Sequence, residues 1–175
     1  FVKPGQPQFD DITAWNDHIR FPGCKDLPWE MIAGRTKGMW SRSREIMGYT
    51  VSNMGAFERI ISTMGFENAM MAMCEDEEAF CEYANAYADY RIEQMEYIKR
   101  YMNADFLMMH DDWGSQNSLF MSPDMWRRIF KEPERRMAAR AHELGMYYMH
   151  HSCGYITPIV GDLVEIGVDC WHSVQ

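Results

Sequence analysis

Four short strand-like runs recur along this chain, at residues 46–52, 104–110, 146–150 and 168–172, with helical stretches between them. That alternation is the strongest constraint on the fold. Strands separated by helices cannot pair as hairpins; they pair in parallel through helical crossovers of one hand. The turn chemistry agrees. Asn53-Met54-Gly55 ends the first run, and helices are expected at 56–63 and 67–73, separated by Gly65. A long helix is expected at 76–103, with Phe80, Tyr83, Ala84, Tyr87, Tyr90, Ile92 and Ile98 near helical spacing. Ser122-Pro123-Asp124 reads as a helix start, with Ser at the cap and Pro in the first turn. Pro133 interrupts that helix, and a second runs to Leu144. A last helix is expected at 157–166.

The order strand, helices, strand, helices, strand, helix, strand predicts an α/β fold with a parallel sheet. Four such strands make about half of a (β/α)8 TIM barrel, whose usual length is ~250 residues. Residues 46–175 are therefore expected to form a partial barrel that continues outside the sequence. Residues 1–45 are expected to be an irregular leading segment. Pro4, Gly5, Pro7, Pro22, Gly23 and Pro28 punctuate it, with one short helix at 12–19 and another after Pro28.

The formal net charge of -9 argues against nucleic acid and anionic membrane surfaces as partners. No run of about 18 apolar residues is present to span a bilayer. Five cysteines at irregular spacing do not make a disulfide framework, which points to a reducing, cytoplasmic setting. Cys74 and Cys81 read as helix-packing thiols, and Cys170 as a core residue of the fourth strand. His18 and His142 read as surface residues. The arginines Arg127, Arg128, Arg135, Arg136 and Arg140 read as a solvated helix face.

In parallel α/β folds the chemistry collects at the C-terminal ends of the strands. Each expected strand here ends in polar groups. The first gives Asn53. The second gives His110, Asp111, Asp112 and Gln116. The third gives His150, His151 and Cys153, and the fourth His172 and Gln175. Asp111 and Asp112 are adjacent, so on a strand they point to opposite faces: one enters the site and the other caps a loop. Trp113-Gly114 allows a sharp turn and an aromatic wall over the rim. His151 and Cys153 are two apart and share a side of an extended segment. Imidazole and thiolate are favoured zinc ligands, and a catalytic zinc takes three protein ligands with one open position. The third ligand is expected outside the sequence.

These motifs resemble the uroporphyrinogen decarboxylase (URO-D) family. The resemblance runs from Tyr49 to Gln175, and its most specific segments are Asp111-Asp112-Trp113-Gly114-Ser115-Gln116 and His151-Ser152-Cys153-Gly154. It implies a (β/α)8 barrel and one of two activities. The true decarboxylases remove four acetate carboxylates from uroporphyrinogen III, without a cofactor, in porphyrin biosynthesis. They carry a Tyr after the first of these strands, where this chain has Gly55-Ala56-Phe57-Glu58-Arg59. The methylcobamide-dependent methyltransferases carry a zinc motif of His-x-Cys and a late Cys. His151 and Cys153 match its first two members.

The methyltransferase branch is the nearer resemblance. It implies zinc on His151 and Cys153, a methylcobamide carried by a corrinoid protein, and a small-molecule methyl acceptor or donor. Asp111 or Asp112 would orient His151 or the substrate. Asn53, Trp113, Gln116, His172 and Gln175 would line the substrate pocket.

Overall fold

The computed structural model of the chain describes residues 3, 6–36, 48–50 and 54–174. In the leading segment, Asp11 caps a single 3-10 turn by accepting the Thr13 N–H, and helix α1 (Trp15–His18) follows directly. Helix α2 (Trp29–Thr36) starts one residue after Pro28. The segment does not stand apart from the rest. Phe9, Ile12, Ile19, Cys24 and Trp29 belong to the same buried cluster as the sheet and its helices.

Strand β1 (Gly48–Thr50) leads through helices α3 (Ala56–Met64) and α4 (Phe66–Glu75) into α5 (Glu77–Met102), the longest helix. Gly65 separates α3 from α4 at φ +84°, a conformation that L side chains avoid. Asn103 ends α5 in the left-handed region, one of the few roles a non-glycine fills there. The aromatic face of α5 receives the leading segment: Phe21 stacks on Tyr90 at 5.2 Å, and Trp29 on Tyr97 at 5.4 Å. Strand β2 (Phe106–His110) follows, then α6 (Pro123–Ile129), whose Ser122 cap accepts the Met125 N–H.

The break in this helix falls at Phe130, three residues before Pro133, and α7 (Lys131–Glu143) holds Pro133 in its first turn. The reason is local. Pro133 has no N–H to give the Ile129 carbonyl, and its ring crowds that residue, so the chain bends one turn upstream. Strand β3 (Tyr147–His151), a 3-10 turn, helix α8 (Val160–Glu165) and strand β4 (Cys170–His172) complete the order.

The sheet has the order β1-β2-β3-β4 and every pair is parallel. Order in space equals order in sequence, with no reversal. One face of the sheet is buried: Leu107, Met109, Tyr148 and His150 point into the helices. The alternate positions are less covered, and Tyr147 is 64% exposed. Helices over one face of a sequentially ordered parallel sheet form the layering of a (β/α) barrel segment; a doubly wound sheet is covered on both faces.

Two expectations are corrected, for Cys170 and for the arginine face, and one, for His142, holds. Cys170 is exposed, because β4 is a short edge strand whose Cys170 and His172 positions both face away from cover. His142 lies at the surface as expected, where its Nε2 is 2.7 Å from Asp169 Oδ2. The arginine face is not merely solvated. Arg128 pairs with Glu77, Arg136 with Asp89 and Arg140 with Glu96, which ties α6 and α7 to α5, while Arg127 joins Asp162 on α8. Among the described residues, no helix is long and apolar enough to cross a membrane.

Candidate metal centre at the strand ends

The parallel register aligns three histidines in one row. His110 pairs with His151, and His151 with His172. Paired residues on adjacent parallel strands project from the same face, one strand spacing apart. The rings meet accordingly: His110 and His151 stack at 4.4 Å, and His151 and His172 lie at 4.9 Å. The row stands at the C-terminal edge of the sheet, on its less covered face.

Strand alternation sorts the neighbours of this row. Asp112 and Cys153 come two residues after His110 and His151, and they join the same side. Asp112 Oδ1 lies 3.7 Å from His110 Nε2 and 3.7 Å from His151 Nε2, and it accepts the Cys153 N–H at 2.7 Å. Cys153 Sγ lies 3.3 Å from His151 Nε2 and 3.8 Å from Ser173 Oγ. Glu58, from the first turn of α3, places Oε2 2.7 Å from His110 Nδ1. Ligand atoms of His110, Asp112 and His151 all fall within 4.8 Å of one another, a separation that one metal ion can bridge.

The odd positions go the other way. Asp111 is buried on the helix side. Its carboxylate accepts the Phe57 and Glu58 N–H groups at 3.0 Å each and the Trp113 indole N–H at 3.1 Å. It therefore caps α3 from 54 residues downstream. Gly55 makes room for it, since a Cβ there would lie 2.1 Å from Asp111 Cγ. His150 is buried and stacked on Trp113 at 4.1 Å, with Nδ1 3.3 Å from Glu134 Oε2. Tyr148 donates its hydroxyl to the same Glu134 oxygen at 2.7 Å. Ser152 accepts the Trp113 N–H.

The two rim loops are joined along their backbones. Tyr155 N–H donates to Ser115 O, and Gly154, at φ +79°, faces Gly114 so closely that a Cβ would lie 2.3 Å from the Gly114 oxygen. Both glycines are needed because two main chains meet there.

Charge follows burial. Burial pushes the Asp111 carboxyl up to about 7, against the pull of its two amide partners. Burial also holds the His151 imidazole below its ordinary value, and the neighbouring His110 adds to this, so His151 favours the neutral form that binds metals. Glu58 is raised by burial, which the adjacent His110 opposes and Asp112 reinforces. Burial opposes a charge on His150, but Glu134 and Asp111 outweigh it and raise that imidazole.

Of the site residues expected from sequence, Asp112, His151, Cys153 and His172 come together. Asp111 and Trp113 do not. Asp111 is turned to the opposite face, and of the two aspartates only Asp112 reaches the cluster. Trp113, expected as a wall over the rim, is wholly buried against His150 and Trp126 and offers a ligand no surface. Gln116 is exposed on the turn closed by the Gly114–Leu119 bridge. Asn53 and Gln175 lie outside the described residues. The sequence carries no signal for Glu58, and for His110 only its place at a strand end. Its mirror position to His151 at the end of a neighbouring strand was the available signal.

A sequence model described as uroporphyrinogen decarboxylase (URO-D) matches residues 35–173. Searches of curated proteins and of solved structures give no match. The matched span takes in the whole sheet and every residue of the cluster, and the chain belongs to the uroporphyrinogen decarboxylase (URO-D) family.

Proposed function

We propose that this chain is part of a zinc-dependent methyltransferase, built on a full (β/α)8 barrel, that moves a methyl group between a methylcobamide on a corrinoid protein and a small-molecule thiol. The observation that carries the reading is the approach of His151 Nε2 and Cys153 Sγ to 3.3 Å at the strand ends, with Asp112 and His110 beside them. An imidazole held neutral and a thiol on one rim are a donor set suited to zinc. When bound, zinc lowers the pKa of a substrate thiol and holds it as thiolate near neutral pH.

The chain's residues supply position and polarity. Asp112 fixes the Cys153 backbone through its amide, so Cys153 Sγ is presented next to His151. His172 buttresses the far side of His151, with the two Nδ1 atoms 2.6 Å apart. In the transfer, the thiolate sulfur's lone pair forms the S–CH3 bond. The Co–C bond breaks with both electrons staying on cobalt, taking Co(III) to Co(I). The same geometry serves the reverse direction. A reducing cytoplasm keeps Cys153 and the corrinoid in the states this chemistry needs.

The second reading, decarboxylation of uroporphyrinogen III, is favoured by the family description alone. Metal content and turnover separate the two. The expected result is one zinc per chain and thiol-dependent demethylation of methylcobalamin, both lost in Cys153→Ser. A metal-free protein that turns over uroporphyrinogen would establish the decarboxylase instead.

A further inference from the structure

We infer that strand β2 supplies two further metal ligands, His110 Nε2 and Asp112 Oδ1, so that His110, Asp112, His151 and Cys153 form a two-histidine, one-carboxylate, one-thiolate centre, with Glu58 and His172 orienting its two imidazoles. The inference rests on the proposed metal chemistry and deepens it: the third ligand, expected outside the sequence, lies on the neighbouring strand.

Three observations carry it. The first is spacing. Nitrogen and oxygen ligands about 2.0–2.1 Å from a tetrahedral metal stand about 3.3–3.5 Å apart. Asp112 Oδ1 is 3.7 Å from both His110 Nε2 and His151 Nε2, and Cys153 Sγ is 3.3 Å from His151 Nε2. The ligand atoms of His110, Asp112 and His151 lie within 4.8 Å of one another, so modest side-chain movement closes these three around one ion, with Cys153 Sγ standing beside His151 as the fourth donor.

The second is the orientation of the rings. A metal-binding histidine presents one nitrogen to the metal and hands the other to a hydrogen-bond partner, which fixes its tautomer. His110 turns Nδ1 to Glu58 at 2.7 Å, and His151 turns Nδ1 to His172 at 2.6 Å. With both Nδ1 atoms turned to these neighbours, both Nε2 atoms face Asp112 Oδ1. Two histidines on different strands share this arrangement because the register puts them side by side.

The third is Glu58 itself. Its Oε2 and the His110 Nδ1 it faces at 2.7 Å are both shielded from solvent, and neither completes a hydrogen bond. Half-buried Glu58 thus closes the Nδ1 edge of His110 and leaves the Nε2 edge as the one turned to Asp112. Zinc held by these four groups would take an incoming substrate sulfur only by expanding to five ligands, as catalytic zinc sites sometimes do.

The test uses Co2+ as a spectroscopic probe and Zn2+ competition against a chelating dye, on the protein and on His110→Ala, Asp112→Asn, Glu58→Gln and Cys153→Ser. Asp112→Asn decides if His110→Ala misfolds, because it is near-isosteric and keeps an oxygen for the Cys153 amide. The expected result is one metal per chain, affinity weakened by more than about tenfold in His110→Ala and Asp112→Asn, and a changed visible Co2+ band in both. Glu58→Gln should lose about tenfold, as outer partners of ligand histidines do. If His110→Ala and Asp112→Asn bind Co2+ like the parent while Cys153→Ser does not, the inference is overturned and the methyl-transfer reading stands. If the parent binds no metal, both fall.

Discussion

Replacing Asp111 by alanine should be among the most destabilising single changes in this chain, although Asp111 touches no candidate ligand atom. Its carboxylate accepts three N–H groups. Those of Phe57 and Trp113 are buried and that of Glu58 is partly so. Each buried donor left without an acceptor costs about 1–3 kcal/mol, and loss of a helix cap about 1 kcal/mol. The sum for the two buried donors and the cap is about 3–7 kcal/mol, a large share of the about 5–15 kcal/mol that holds an ordinary domain together. Asp111→Asn should cost far less, about 1 kcal/mol, because one amide oxygen still serves two of the donors.

The pH dependence separates the two variants further. The folded carboxyl is raised to about 7, above the unfolded value of about 3.9. A carboxyl raised in the native state holds its proton more tightly there. Its contribution to stability is therefore greatest below about pH 4 and declines as pH rises toward 7. The asparagine variant lacks that decline, so its deficit relative to the parent should shrink across the same window. Urea unfolding at several pH values measures both effects, with an unchanged slope confirming comparable native states. An alanine variant within about 1 kcal/mol of the parent would refute the assignment of Asp111 as the remote cap of α3.

Two further perturbations test the frame around the site. Gly154→Ala places a Cβ against the Gly114 backbone at a φ of +79°, so it should cost about 2 kcal/mol or more and should weaken metal binding by separating the rim loops, read by thermal unfolding and Zn2+ competition. Asp162→Asn removes the carboxylate that Arg127 and Lys131 hold below its ordinary range. The folded pKa is depressed, so that stability is present above the unfolded value of about 3.9 and lost as pH falls through the folded one; the variant should be less stable than the parent at neutral pH, and the gap should close on acidification.

The fold was legible because its signals are local and repeated. Ser122-Pro123 starts α6, and Gly65 and Asn103 end α3 and α5, each through backbone preferences that a single sequence displays. Strand order followed from the alternation with helices. The rim was legible for the same reason: parallel strands bring their C-terminal ends to one edge, so the polar group after each apolar run was already a site candidate.

What was not legible is the phase of each strand. A strand with one wet face reveals which side is which by alternating polar and apolar residues. Strand β2 reads Phe106, Leu107, Met108, Met109, and both of its faces are apolar, so nothing in it says whether His110 and Asp112 or Asp111 belong to the rim. The doublets Asp111-Asp112 and His150-His151 carry the same ambiguity, since each pair is chemically identical and only one member reaches the cluster. The register of β2 against β3 resolves both at once. It aligns His110 with His151, and alternation then forces Asp112 and Cys153 inward and Asp111, His150 and Ser152 into the helix layer. Glu58 was invisible for a different reason. It comes from the first turn of α3, and its place beside His110 exists only because Asp111, the residue next to His110, caps that same turn through the Phe57 and Glu58 amides. The outward aspartate thus sets the position of the carboxylate that orients the inward histidine. Structural and chemical roles are divided between neighbours on one strand by the pleat alone.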